Sequence, residues 1–426
     1  MDVPGPLSPS VSQQPPAATR GQIFSWALFD FANTAFYVLI LTVGYPLYFK
    51  EIIAGGNRDG DLLWGTAFSI SMCIVAVLSP ILGAAADVGT GKKRFLAVFT
   101  ALCIAATAGL FFMQASMVFW GMVLLVLANV GFEAGLVFYD AFLPEITTER
   151  SLGRVSGYGF ALGYTGSLVT LAVTYPLYAA GFSADNLFNI RVSFLVAAGF
   201  FFAFAMPIFL FLPDRQRTGR STRGFVRAGF ARVRTTFARF NQYRNIARFL
   251  AAYFLYIDAI NTIIVFSSIF ARETLHLEIS DIIIFFAMVQ TSAIAGSVLF
   301  GIVADHAGHK RTLSITLGLW ILVVISSYFI YDRWMFYLLG AGAGIALGSS
   351  QSTSRSLMSE ITPAEKKTEF FGFYSFFGKA SAILGPFLFG LASSLFNQRV
   401  ALLLVGGLLV GGLILVQRVR EEPAEA

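Results

Sequence analysis

Six ionisable side chains sit in stretches too apolar to hold them cheaply: Asp30, Glu133, Asp140, Asp258, Arg355 and Lys379. An ionisable group in the middle of a membrane span costs about 2.5 to 3.5 kcal/mol on insertion scales, and so marks a functional site by default. Helical spacing gathers polar neighbours around them. Asp30, Asn33 and Tyr37 share one helical face, and Asp258, Asn261 and Thr262 share another. Asn129, Glu133 and Asp140 lie along a third stripe, and Gln351, Arg355 and Ser359 along a fourth. Carboxylates, amides and two cations suit a small zwitterionic solute. Arg355 would grip its carboxylate through a two-pronged fork. Asp30, Asp258 or Glu133 would meet its amine or take up a proton. The plainer account is that these charges pair with one another and hold helices together. For Asp140 and Lys379, which the sequence puts near the cytoplasmic edge of their spans, the two accounts weigh equally. For Asp30, Glu133, Asp258 and Arg355 the cost of burial favours a cavity.

Such residues need helices to hold them, and the composition supplies those helices. Apolar residues make up 56% of the 426 positions, charged residues only 13%, and mean hydropathy is +0.72. Soluble domains carry about 25% charge, so the bilayer must be the solvent. Twelve runs reach the length of about 20 apolar residues that a spanning helix needs, centred near residues 36, 74, 104, 128, 167, 201, 260, 293, 321, 345, 382 and 408. The weakest boundary falls at Gln114, Ala115 and Ser116. Cys73 and Cys103 lie inside apolar runs and read as buried packing residues, with no disulfide framework. His276, His306 and His309 fall in loops and read as solvated. With no histidine in a span, no metal motif and no nucleotide-binding lysine loop, the chain is read as a carrier. No catalytic residue, metal or cofactor is expected.

Two glycine-rich turns join spanning runs. One carries Gly83, Asp87, Lys92, Lys93 and Arg94, and the other Gly301, Asp305, Gly308, Lys310 and Arg311. Lys and Arg concentrate in cytoplasmic loops. With both turns and both termini placed there, 22 of the 30 Lys and Arg lie inside and six outside. This accounts for the net charge of +6 without nucleic acid. The expected division is a disordered tail (1–21), a six-helix bundle (22–212), a basic linker (213–247), a second bundle (248–417) and a short tail (418–426). The linker's arginines and interleaved aromatics suggest an amphipathic helix lying against lipid headgroups.

Three markers recur in order. Asp30-x-x-Asn33-Thr34 matches Asp258-x-x-Asn261-Thr262, the Asp87 turn matches the Asp305 turn, and Glu145-Ile146-Thr147 matches Glu360-Ile361-Thr362. Glycines follow the third marker at equal intervals, Gly157 and Gly163 against Gly372 and Gly378. With that offset Asp140 aligns with Arg355, and Tyr164 with Lys379. Gly340, Gly344 and Gly348 form a close-packing face, and Gly385-Pro386 suggests a kink. Duplicated six-helix halves with a site between them near midplane is a transporter layout.

The turn Gly301-x-x-x-Asp305-x-x-Gly308-x-Lys310-Arg311 resembles the signature loop of the major facilitator superfamily. Within it, several stretches resemble the vacuole amino-acid effluxer family and its bacterial relatives. They are Trp26 to Ala35, Phe138-Tyr139-Asp140 to Glu145, Gly163-Tyr164-Thr165-Gly166, Tyr256-Ile257-Asp258, Ser354-Arg355-Ser356, and Gly372 through Lys379 to Pro386. Two departures stand out: Val88 replaces the arginine usual after the aspartate, with the cations one residue late, and Asp140 replaces a common amide.

The resemblance implies an all-α membrane protein, with twelve transmembrane helices in two pseudo-symmetric six-helix bundles. Helices 1, 4, 7 and 10 would line the cavity, and five of the six charges fall on them. It implies amino-acid export by alternating access, with protons as coupling ion, from a monomer in a bacterial inner membrane. Substrate-binding or coupling residues would be Asp30, Asn33, Tyr37, Glu133, Asp258, Asn261, Gln351, Arg355 and Lys379. The alternatives are a lipid or drug transporter of the same fold, or a non-transporting sensor or scaffold using the basic linker.

Overall fold

The computed structural model describes residues 18–56, 59–88, 91–178, 180, 183–213, 234–235, 240–273, 275, 279–381, 389, 392, 395–396 and 398–421, and every regular element in them is helical. The first half holds α1 (Arg20–Ile53), α2 (Asp59–Val88), α3 (Lys92–Gly109), α4 (Val118–Ile146), α5 (Leu152–Tyr178) and α6 (Leu187–Phe211). The second half holds α7 (Arg244–Glu273), α8 (Ile279–Ala307), α9 (His309–Tyr328), α10 (Arg333–Ile361), α11 (Lys367–Ser381) and α12 (Gln398–Gln417). Most of the tail and linker expectations, the Gly385-Pro386 kink and His276 lie outside the described residues.

Ten of these helices are long and apolar enough to cross a bilayer by composition alone. The other two are instructive. The α10 helix runs for 29 residues but carries Arg355 among six serines between Ser349 and Ser359. Its polar content is the price of lining the interior. The α11 helix is described only over 15 residues. The doubtful boundary between α3 and α4 is real: the chain leaves the helix at Met113 and turns at Ser116, whose φ is 69°.

Each half packs its own apolar core, one around Trp26, Phe29, Phe138, Tyr139 and Phe194, the other around Phe249, Tyr256, Trp320 and Phe370. Glycine faces let helices within a half approach closely. A Cβ on Gly344 would strike the Val289 carbonyl, and one on Gly348 the Ala293 carbonyl, so α10 lies directly on α8. Cys103 is buried as expected, but Cys73 is exposed: its turn of α2 faces outward, where a bilayer solvates it as well as a core would.

One feature of α1 was not expected. The helix widens into π-turns over Tyr37–Val43 and again over Phe49–Ile53. Pro46 lies between them and offers no N–H to the preceding turn. Widened turns of this kind collect at functional positions, and this one begins at Tyr37.

Candidate functional site: the layer between the halves

At one end of the molecule the two halves touch through four glycines. A Cβ on Gly157 (α5) would lie less than 3 Å from the Ser297 carbonyl (α8), and one on Gly301 equally close to the Gly153 carbonyl. The second contact repeats the first in the other half's helices. A Cβ on Gly372 (α11) would strike the Ser79 carbonyl (α2), and one on Gly83 the Thr368 carbonyl. The duplication seen in sequence thus becomes two equivalent seams, α5 on α8 and α2 on α11, which close the end that carries the glycine turns.

Asp305 fastens the first seam. Its Oδ1 accepts from the Gly153 backbone N–H at 2.7 Å and its Oδ2 from that of Arg154 at 3.1 Å. The Arg154 Nε lies 3.5 Å from the same Oδ2. A carboxylate across the first turn of α5 satisfies orphan amides and opposes the helix dipole. Asp305→Ala is expected to loosen this end by about 1 to 2 kcal/mol, a 5- to 30-fold shift toward its open form. Labelling rates of a cysteine placed at buried Ser297 would read that shift. The side chain of Asp87, the sequence-level counterpart, lies outside the described residues.

The lysines of the turns bond within their own halves. Gly91 and Gly308 share φ values of 90° and 91°, which marks them as equivalent and places the one-residue insertion after Asp87. Lys93 then matches Lys310. Each caps the last turn of a helix in its own half, Lys93 on the Leu212 carbonyl at 2.6 Å and Lys310 on that of Gln417 at 2.8 Å. Arg94 and Arg311 are exposed. Lys92 ties α3 to α4 through Glu145 at 2.6 Å and the Ala141 carbonyl at 3.2 Å.

The same alignment puts His309 opposite Lys92 and Glu360 opposite Glu145. His309 is buried, not solvated as its loop position suggested. The histidine is the first residue of α9 and tucks under the end of α10, with Nε2 4.0 Å from the Glu360 carboxylate. His309→Lys is expected to recreate the Lys92–Glu145 pair and to raise stability by up to about 1 kcal/mol, seen as a higher melting temperature.

Deeper in, Arg355 joins four helices. Its Nη1 donates to Asp30 on α1 at 3.3 Å and to Asp140 on α4 at 3.1 Å. Its Nε donates to the Ser156 hydroxyl at 3.1 Å and its Nη2 to the Ser156 carbonyl at 2.8 Å, both on α5. The rings of Phe160 and Trp26 flank the guanidinium at 4.1 and 4.9 Å. Trp26 is itself stacked on Tyr139 at 4.6 Å. Four of five N–H donors are therefore used, and the residue is 2% exposed. In this conformation no fork is left for a solute carboxylate.

Asp140 and Arg355 are 215 residues apart, the offset of the repeat itself. Two residues that the pseudo-symmetry exchanges, and that also touch, must lie on its axis. The pair stands where the halves meet.

A second layer lies further from the closed end. Glu133 precedes Asp140 by seven residues, about 10 Å along α4. Its carboxylate meets Lys379 of α11 at 2.6 Å. At the same depth the Tyr164 hydroxyl of α5 donates to the Gln351 amide oxygen of α10. Tyr164 and Lys379 are counterparts in the repeat, and each bridges the halves. Here accessibility rises. Along one stripe of α1, exposure is 0% at Trp26, 8% at Asp30 and 3% at Asn33, but 50% at Tyr37. The Lys379 side chain is 25% exposed. Along this stripe the interior is thus shut at the level nearer the glycine turns and more accessible at the Glu133–Lys379 layer.

The structure brings Asp30, Asn33, Glu133, Gln351, Arg355 and Lys379 into these two layers, with Tyr37 at their accessible edge. Asn33 donates to Asp30 at 3.3 Å. Asp258 is fully buried on α7, with partly accessible Asn261 one turn on. Their helix reaches the site through Tyr256, which hydrogen-bonds Ser354 at 2.7 Å. Asp140 and Lys379 each pair with a charge of the other half, as the plainer account expected, and Lys379 does so at the level of Glu133. Sequence reasoning missed Ser156, Trp26 and Phe160. The 215-residue offset was the signal available for Asp140; nothing in their own spacing marked the other three.

The profile of the family described as "Vacuole effluxer Atg22 like" matches residues 63–425. The chain belongs to that family. Among its relatives, the "Uncharacterized MFS-type transporter YxiO" of Bacillus subtilis (strain 168) is 31% identical over 408 residues, covering 93% of this chain and 94% of that one. "Autophagy-related protein 22" of Yarrowia lipolytica is 23% identical, covering 84% of this chain and 72% of that one. The fold recurs in the proton:xylose symporter XylE, with a TM-score of 0.74 at 14% identity over 95% of this chain and 97% of that one. It recurs too in the human organic anion transporter MFSD10, with a TM-score of 0.76 at 13% identity over 93% and 99%. The member described above is thus a multi-pass integral membrane protein with the major facilitator fold.

Proposed function

We propose that this protein is a secondary transporter that moves a small zwitterionic solute, an amino acid, outward across the membrane by alternating access. The observation that carries this reading is the Glu133–Lys379 pair. Its two charges come from opposite halves, lie at the edge of the accessible space, and are neighboured by Tyr164 and Gln351. An incoming zwitterion can replace the pair with itself, its ammonium on Glu133 and its carboxylate on Lys379. That exchange keeps every buried charge matched. The family's description as effluxers supports export.

A charge count supports coupling to protons. The Arg355 layer holds one guanidinium and two carboxylates, Asp30 and Asp140. Proton uptake there would cancel the surplus negative charge and free Arg355 to leave one of them. In this reading Asp258 and Asn261 complete the solute's cradle from α7. The halves 22–212 and 248–417 rock as two bodies around it, and one chain suffices. The lysine- and arginine-rich end faces the cytoplasm of a bacterial inner membrane, so the form described is closed to the cytoplasm. The Asp305 latch and its counterpart at Asp87 hold it there.

Exchanging the charges tests the solute site. Glu133→Gln and Lys379→Met each remove one pole and are expected to cut amino-acid counterflow in proteoliposomes at least about tenfold, the cost of one charged hydrogen bond. Counterflow at wild-type level in both variants would place the solute elsewhere.

A further inference from the structure

A groove of about 660 Å³ runs up the outside of the first half between α1 and α5. Its lower end is set by Arg20, Arg154 and Ser151, at the starts of the two helices; its walls above are Phe24, Ala27, Tyr158 and Leu162, and it ends near Thr165. Fourteen residues of α5 separate Ser151 from Thr165, about 21 Å of helix. Among the lining residues are two arginines and no carboxylate. Arg20 is exposed, and the Arg154 side chain is 44% exposed. None of this belongs to the polar layers between the halves.

We infer that this groove binds an anionic phospholipid, its phosphate between Arg20 and Arg154 and one acyl chain along the apolar walls. The argument is complementarity of charge, polarity and length. Both arginines sit at the level where the spans begin, the depth of a headgroup. The walls above them face hydrocarbon and offer a chain-length furrow. Basic pockets between spanning helices are recognition sites for acidic headgroups. The position also has a consequence. Arg154 is the residue whose backbone and side chain hold Asp305 of the first seam. A lipid phosphate on Arg154 fixes the first turn of α5 in the place where Asp305 meets it. The bound lipid therefore favours the closed form, whichever solute the centre carries.

Native mass spectrometry of the purified full chain tests this with two probes, dioleoyl-phosphatidylglycerol and dioleoyl-phosphatidylcholine. One phosphatidylglycerol should be retained in preference to phosphatidylcholine. That preference should fall about fivefold for each arginine removed, the worth of one basic residue at a charged lipid surface. The variants are Arg20→Gln, which touches no part of the latch, and Arg154→Gln. Ala161→Trp fills the groove and should abolish retention with both arginines intact. Arg333→Gln, at an exposed arginine on the opposite end, serves as control and should leave the preference unchanged. Equal retention of the two lipids, or a preference that survives Arg20→Gln and Ala161→Trp together, would overturn the assignment. So would displacement of the lipid by millimolar inorganic phosphate, which would make the arginines a free-anion site.

Discussion

Arg355→Ala is expected to abolish transport and to lower the melting temperature of the protein sharply. The guanidinium is the cation in ion-pair contact with both Asp30 and Asp140 among the described residues, and it holds three helices of the opposite half at once. Removing it leaves two carboxylates in an interior that cannot solvate them. Loss of one partner of a buried ion pair costs about 3 to 5 kcal/mol, and here the loss strands two. The structural and functional parts of this effect can be separated. A triple variant, Arg355→Leu with Asp30→Asn and Asp140→Asn, removes all three charges together. Replacing a buried ionic group by uncharged residues of like volume is often neutral for stability. The triple variant should therefore recover most of the melting temperature and none of the transport. Thermal unfolding and counterflow measured on both proteins decide the matter. A triple variant that transports would show that the cluster serves only to join helices.

The second large effect is expected at the glycine seams. Gly157→Leu places four carbons where the Ser297 carbonyl now sits, and Gly372→Leu does the same against Ser79. Neither helix can retreat within its own half without losing packing there, because each is already pressed against its neighbours. The strain is relieved by parting the halves at this end. Either variant should therefore stop turnover while leaving the protein folded, and should expose a cysteine at Ser352, which is fully buried beneath Ser156. Overpacking a well-filled contact costs about 1 to 3 kcal/mol. That is enough to invert an equilibrium between two conformers that differ by a similar amount. Gly163→Ala is a useful contrast. A Cβ there meets Asp30 and Thr34 only at 3.6 Å, and little should change.

Much of this was legible in the residues themselves. Hydropathy gave the helices because a bilayer allows few other solutions. The duplicated markers gave the two halves, and the first glycine after each of Glu145 and Glu360, Gly157 and Gly372, lies at a seam, whereas Gly163 and Gly378 pack within their own halves. What the sequence could not show is which charges meet. Arg355 has carboxylates on α1, α4 and α7 within plausible reach of a helical wheel, and spacing within one helix says nothing of distance between helices. The structure selects Asp30 and Asp140, which leaves Lys379 for Glu133. In the proposed function the solute carboxylate is therefore met by Lys379 in place of Arg355. His309 was misread for a related reason. A histidine after a glycine turn looks solvated until the neighbouring α10 is seen to end above it. The cations of the turns were read as one group, yet Lys92, Lys93 and Lys310 serve separate helix ends within their own halves.

In the proposed cycle a zwitterion is carried between the halves at the Glu133–Lys379 layer, with the Arg355 cluster as the gate below it. The decisive measurement is counterflow of labelled amino acids into proteoliposomes preloaded with unlabelled amino acids, with and without an imposed pH gradient. Uptake should depend on a free amine and a free carboxylate in the solute, respond to the gradient, and vanish in Lys379→Met and Arg355→Ala. No counterflow with any amino acid, or counterflow indifferent to both substitutions, would contradict that cycle.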